Sequence, residues 1–78
     1  MKKTVGYIVT GPFGPMRADM CGVLWLGNPV TLFATRRAAN RAISATEAFR
    51  DRNGYTHEAW KTENHWICRV AAEAPHAH

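Results

Sequence analysis

The chain has 78 residues, enough for one domain with a thin core. Its 46% hydrophobic content excludes a disordered tail, and no apolar run approaches the roughly 18–20 residues that cross a bilayer. A formal charge of +4 and a pI near 9.6 favour a polyanion or an acidic protein surface as partner.

The opening Met1-Lys2-Lys3 followed by an apolar stretch is broken by Gly6 and Thr10, so it reads as a strand in a cytoplasmic protein and not as a secretory leader. From Thr4 to Thr10, Val5, Tyr7 and Val9 alternate with Gly6 and Ile8, the period of a strand. Gly11-Pro12-Phe13-Gly14-Pro15 then reads as a stop, with a loop running to Asp19. Met20–Leu26 is a second predicted strand. Gly27-Asn28-Pro29 is a turn signal, and Val30–Phe33 a short third strand that closes a hairpin.

Thr35 is an N-cap for a helix over Arg36–Arg52. Ala38, Ala42, Ala45 and Phe49 share one stripe, widened by Ala39, Ile43 and Thr46. Small side chains there allow the helix to lie close to a sheet, anchored by Ile43 and Phe49. Asn53-Gly54 ends it, with Gly54 free to take the left-handed backbone of a helix C-terminus. Tyr55–Lys61 is a predicted fourth strand and Thr62-Glu63-Asn64 a turn. His65–Ala71 alternates as a fifth strand, with Trp66, Cys68 and Val70 on one side and His65, Ile67 and Arg69 on the other. The sequence therefore predicts an α+β domain over residues 1–72 in the order β-β-β-α-β-β, an antiparallel sheet of four or five strands with one amphipathic helix on a face. The tail from Glu73 to His78 is expected to fray.

Several familiar chemistries find no support. The histidines His57, His65, His76 and His78 and the cysteines Cys21 and Cys68 lack metal-site spacing. The cysteines read as reduced and buried. Ser44, the only serine, sits mid-helix without a glycine elbow, and the glycines form no phosphate-binding or dinucleotide fingerprint. The expectation is a protein that binds without catalysing, with no catalytic residues, metal or cofactor.

The helix start carries the most information. Arg36, Arg37 and Arg41 occupy its first two turns, while Glu47 and Asp51 lie further on, against the preference of the helix dipole. Guanidinium groups beside free helix N–H groups form a candidate anion-binding surface. Lys2, Lys3 and Arg17 extend it if the fold brings them near. Trp25 and Trp66, in apolar strands, read as core. Phe13 and Trp60 have polar or turn-like surroundings and read as exposed aromatics at a protein interface.

The passage Leu32-Phe33-Ala34-Thr35-Arg36-Arg37-Ala38-Ala39 and the helix exit Asn53-Gly54-Tyr55, in so small a chain, resemble the layout of phage-encoded accessory proteins of the anti-CRISPR type. That resemblance implies an inhibitor acting in the bacterial host. It would dock on a CRISPR effector complex and block target-DNA binding or nuclease recruitment. Many such inhibitors are acidic and imitate DNA, whereas this chain is basic. The resemblance therefore implies docking on acidic protein surface or complex-bound nucleic acid. Two other readings stand beside it: a small nucleic-acid-binding protein using the same arginines on phosphates, and a homo-oligomeric accessory protein whose exposed aromatics close a dimer.

Overall fold

The computed structural model describes residues 2–73. It is an α+β fold, a four-stranded antiparallel sheet carrying one helix. Strands β1 (Lys2–Gly11), β2 (Gly14–Ala18) and β3 (Leu24–Leu26) precede the helix α1 (Arg36–Asn53), and strand β4 (Trp66–Glu73) follows it. The sheet order is β3-β2-β1-β4.

The segment read as a stop is a tight hairpin. Thr10 pairs with Pro15 and Gly11 with Gly14, leaving Pro12 and Phe13 as the two-residue turn. Pro12 presets the backbone angle of a turn. Pro15 is tolerated for a geometric reason. Tyr7 exchanges both backbone hydrogen bonds with Phe33, at 2.8 and 2.7 Å, on the side of β1 away from β4. Alternation from Tyr7 points the N–H and C=O of Thr10 toward β4, so the pair Thr10–Pro15 needs no N–H from proline. The β3 ladder begins only at Met16, so that side loses nothing either.

Val30–Phe33 is not a strand partner of β3. It forms a wedge where β1 and β2 diverge: Thr31 N–H donates to the Met16 carbonyl (3.2 Å), Ala18 N–H donates to Thr31 Oγ1 (2.7 Å), and Phe33 forms its single bridge to Tyr7. Gly6 lets the wedge in, since a Cβ there would lie 2.7 Å from the Phe33 carbonyl oxygen. Met20–Val23 is likewise a loop, tied by Asp19 Oδ1 accepting from the N–H groups of Cys21 (2.9 Å) and Val23 (3.0 Å), so only Leu24–Leu26 of that predicted strand is one.

The helix obeys its local signals. Thr35 Oγ1 accepts from Ala38 N–H at 3.1 Å, and Gly54 at φ 67° returns its N–H to the Arg50 carbonyl. Its buried residues are Ala39, Ala42 and Thr46, which meet Val9, Met16 and Leu24 from the sheet, with Phe33, Ile43 and Ile67 at the margin. Thr46 ties the layers together by accepting from Leu24 N–H (3.0 Å) while donating to the Ala42 carbonyl (2.7 Å).

The predicted strand Tyr55–Lys61 is absent. His57 Nδ1 caps a single 3-10 turn, Glu58–Trp60, by accepting from Ala59 N–H (3.1 Å), and a second turn, Thr62–Asn64, follows. Tyr55 and Trp60 fold back together, ring centroids 4.8 Å apart, onto Phe49 at the helix end. The last strand alternates as its sequence suggests. Its buried side is that of Ile67, paired with the fully buried Val9, while Trp66, Cys68 and Val70 share the opposite, open face with Ile8 and Thr10. Trp66, read as core, is 53% exposed there. Glu73 closes β4, and residues 74–78, the rest of the expected frayed tail, lie outside the described residues.

Candidate functional site

Position on the helix decides what each charged side chain does. At 100° per residue, Arg37, Arg41 and Arg52 fall within about 60° of one another, some 140° from the buried stripe of Ala39, Ala42 and Thr46. All three are exposed and together run about 22 Å along the outer face. Glu47 and Asp51 are exposed beside the ridge, Asp51 about 40° from Arg37 on the helical wheel, and each is bonded to another side chain of the protein. Glu47 Oε1 accepts from the Thr62 hydroxyl (2.8 Å), and Asp51 Oδ1 accepts from Arg50 Nε (3.0 Å). Arg50 also donates through Nη1 to the Trp60 carbonyl (3.1 Å) and to Thr62 Oγ1 (3.4 Å), pinning the 3-10 segment to the helix. A second ion pair, Lys61 with Glu58 (3.0 Å), is local to that segment. Glu47 and Asp51 are thus engaged elsewhere, and Arg36, Arg37, Arg41 and Arg52 have no ion-pair partner among the described residues.

The sequence-predicted residues do not all gather there. Arg36 leaves the ridge and lies over the Tyr7 ring, 5.1 Å from its centroid. Opposite Tyr7 on β4 stands Arg69, whose Nη1 donates to Thr4 Oγ1 (3.1 Å), so the basic surface passes from the helix start to the β1–β4 ribbon. Lys3, exposed, is four residues beyond Tyr7, about 13 Å along the strand, and Lys2 is next to it. Arg17 is half-buried on β2, where its charge helps hold the Asp19 carboxylate ionised. Phe13 is exposed at the hairpin tip, 5.9 Å from the His57 ring. His57 follows the helix C-terminus, so Phe13 belongs to the opposite end of α1 from Arg36.

Trp60 is a correction. It is half-buried, stacked on Phe49 at 5.7 Å and edge-on to Trp25 at 5.2 Å, and is a packing residue of a secondary aromatic core. Its polar sequence neighbours concealed this, because its partners come from β3 and the helix end. Cys21, expected buried, is exposed, and Cys68 is half-buried; both are free thiols. Arg52 and Arg69 were not singled out from sequence. Their signal was available, for Arg52 as the continuation of the Arg37–Arg41 ridge and for Arg69 as the one basic residue inside the last strand.

Titration supports packing more than chemistry. Asp19 is held below its ordinary value chiefly by the hydrogen bond from Trp25 Nε1 (2.9 Å), helped by the Val23 and Cys21 amides against some desolvation. Burial pushes His65 down, against the opposing pull of the Lys61 carbonyl at 3.0 Å from Nδ1. A carbonyl only accepts, so Nδ1 carries the proton, and the buried Nε2 has no partner among the described residues. No group of three or more metal-ligating side chains converges among the described residues. Beside the ridge, Arg52 borders a hollow of about 260 Å³ with Asp19, Cys21, Val23, Ala45, Ala48 and Phe49, below the usual range of roughly 300–1,000 Å³ for small-molecule sites. No helix among the described residues is long and apolar enough to cross a membrane. No protein-family model, curated protein or solved structure matches the chain.

Proposed function

We propose that this is a non-enzymatic binding protein whose outer helix face docks on a negatively charged macromolecular surface. In the setting implied by its resemblance to anti-CRISPR proteins, that surface is a CRISPR effector complex in the bacterial cytoplasm. The protein then acts as an inhibitor by occupying the path of target DNA or of the recruited nuclease. The observation that carries this reading is the ridge of Arg37, Arg41 and Arg52, exposed, aligned and without an ion-pair partner among the described residues. Guanidinium forks are weakly hydrated and grip carboxylate or phosphate in two-point contacts, so such a ridge gives up little on docking.

A second reading rests on the length of the same ridge. Arg37 and Arg41 stand one helical turn apart and Arg52 about 16 Å beyond Arg41, a spacing suited to successive and groove-separated phosphates. On this reading the protein binds nucleic acid directly. Salt separates the two. A protein that neutralises three phosphates on duplex DNA loses affinity with a log–log slope near −2.7, and does so on unrelated sequences. Absence of any mobility shift at low salt removes the nucleic-acid reading. Retention of an effector complex on immobilised protein, lost with Arg37→Glu plus Arg41→Glu, supports the inhibitor. Normal retention by that folded double variant refutes the ridge as the contact surface.

A further inference from the structure

We propose that the open edge of β4 pairs with the β4 edge of a second copy, forming a two-fold symmetric dimer with one continuous sheet. β4 is eight residues long and, among the described residues, has a neighbouring strand on one side only, whereas the other sheet edge, β3, has three residues. A long edge without proline or a run of charge is a template for another strand. The direction of its free groups follows from Tyr7. Because Tyr7 turns its N–H and C=O to Phe33, its partner Arg69 turns its own away from β1. Cys68, facing Ile8, makes the ladder bonds instead. The free edge therefore presents the N–H and C=O of Ile67, Arg69 and Ala71, which have no backbone partner outside β1 among the described residues.

Self-pairing restricts the register. Directly opposed residues in an antiparallel pair share a face, and a two-fold axis normal to the sheet preserves the faces, so the axis must pass through a residue. An axis at Arg69 sets like charges directly opposite one another, which is destabilising. An axis at Val70 or beyond leaves Trp66 outside the ladder, and one at Ile67 requires the buried His65. An axis at Cys68 satisfies every constraint. Ile67 and Arg69 of opposite copies exchange hydrogen bonds, and Trp66 packs on Val70 of the other copy. Cys68 faces its own symmetry mate in the closer, non-hydrogen-bonded type of pair. The occupant is a second copy because this arrangement covers the half-exposed Trp66 twice with the protein's own apolar residues and places its only central charge against Ile67. Both helices end on the same side of the joined sheet, so the two arginine ridges face one way.

Five ladder pairs are fewer than the roughly 20–30 residues a side of a standard interface, so the dimer is weak and concentration-dependent. Light scattering on the native chain from about 10 μM to 1 mM should show the mass rise from 8.7 kDa toward twice that value. Copper–phenanthroline oxidation of the Cys21→Ser protein should give a disulfide dimer through Cys68, as the Cα separation of such a pair, about 4.5 Å, lies within disulfide range. Arg69→Pro removes an edge N–H and no β1 ladder bond, so it should keep the sheet signature in circular dichroism and abolish both dimer and cross-link. A single-chain mass at every concentration, which would leave the edge to a strand of another protein, overturns the proposal, as does a folded Arg69→Pro that still dimerises. If Arg69→Pro fails to fold, the cross-link decides alone: its absence in the Cys21→Ser protein rejects the register.

Discussion

Thr46 shows how much one hydroxyl can carry in a thin core. It is fully buried, donates to the helix and accepts from β3, and so joins the two layers. Thr46→Val keeps the shape and orphans the Leu24 N–H, so a loss of about 1–3 kcal/mol is expected in denaturant unfolding, with an unchanged m-value. Helical periodicity placed Thr46 on the inner face. Its hydrogen-bond role was not legible, because the partner lies 22 residues earlier in an element set by tertiary pairing. His65 sets a pH dependence. Its ring is buried, with Lys61 O on Nδ1, Arg50 and Glu63 nearby, and burial the largest influence, so its folded pKa lies below the ordinary 6.5. Between those two values the unfolded chain binds the extra proton and the folded chain does not. The stability is therefore fully present above about pH 6.5 and declines as pH falls toward the folded value. Chemical denaturation at pH 7.5 and 5.0 should show the loss, and His65→Gln should flatten it. Asp19, with a lowered pKa, adds a second loss at still lower pH, below its ordinary 3.8.

At the scale of elements, local chemistry was readable wherever the deciding contact was local. The helix start, its Gly54 exit and the alternation of β4 follow from neighbours a few residues apart. The errors fall where distant segments decide. Pro15 looked like a strand stop and is harmless because its missing N–H faces no ladder partner. Val30–Phe33 had strand composition, but the divergence of β1 from β2 left room for only a wedge. Tyr55 and Trp60 fitted a strand's composition, yet Phe49 and Trp25 offered a better place to bury them. Trp60→Ala removes the centre of that cluster and should cost about 3 kcal/mol, with near-ultraviolet dichroism lost before the far-ultraviolet signal. The arginine ridge is legible on a helical wheel. That its members have no ion-pair partner among the described residues was not, since Glu47 is claimed by Thr62 of the second 3-10 turn, while Asp51 is held by its helix neighbour Arg50. Arg37→Glu should accordingly raise stability by a few tenths of a kcal/mol, because it replaces a cation in the first helical turn with an anion, while weakening partner binding. Opposite signs for the two effects separate a contact residue from a structural one.

For the whole molecule, charge and form point the same way. The net charge is +4, the helix acids Glu47 and Asp51 are bonded to Thr62 and Arg50, and the exposed guanidiniums of the outer helix face have no ion-pair partner among the described residues. The fold provides a rigid platform for that face, with α1 capped at both ends and fixed to the sheet through Thr46 and to the 3-10 segment through Arg50. Fold class could be read from composition and periodicity alone. Partner identity could not, because an arginine ridge meets phosphates and acidic protein with the same chemistry. The most direct test is the affinity of the immobilised protein for a CRISPR effector complex, compared with that of the Arg37→Glu, Arg41→Glu variant at one ionic strength. At least a tenfold loss, about 1.4 kcal/mol, is predicted for a variant whose thermal unfolding is unimpaired. Equal affinity of the two proteins, or no binding by either, would contradict the assignment of this face and of this partner.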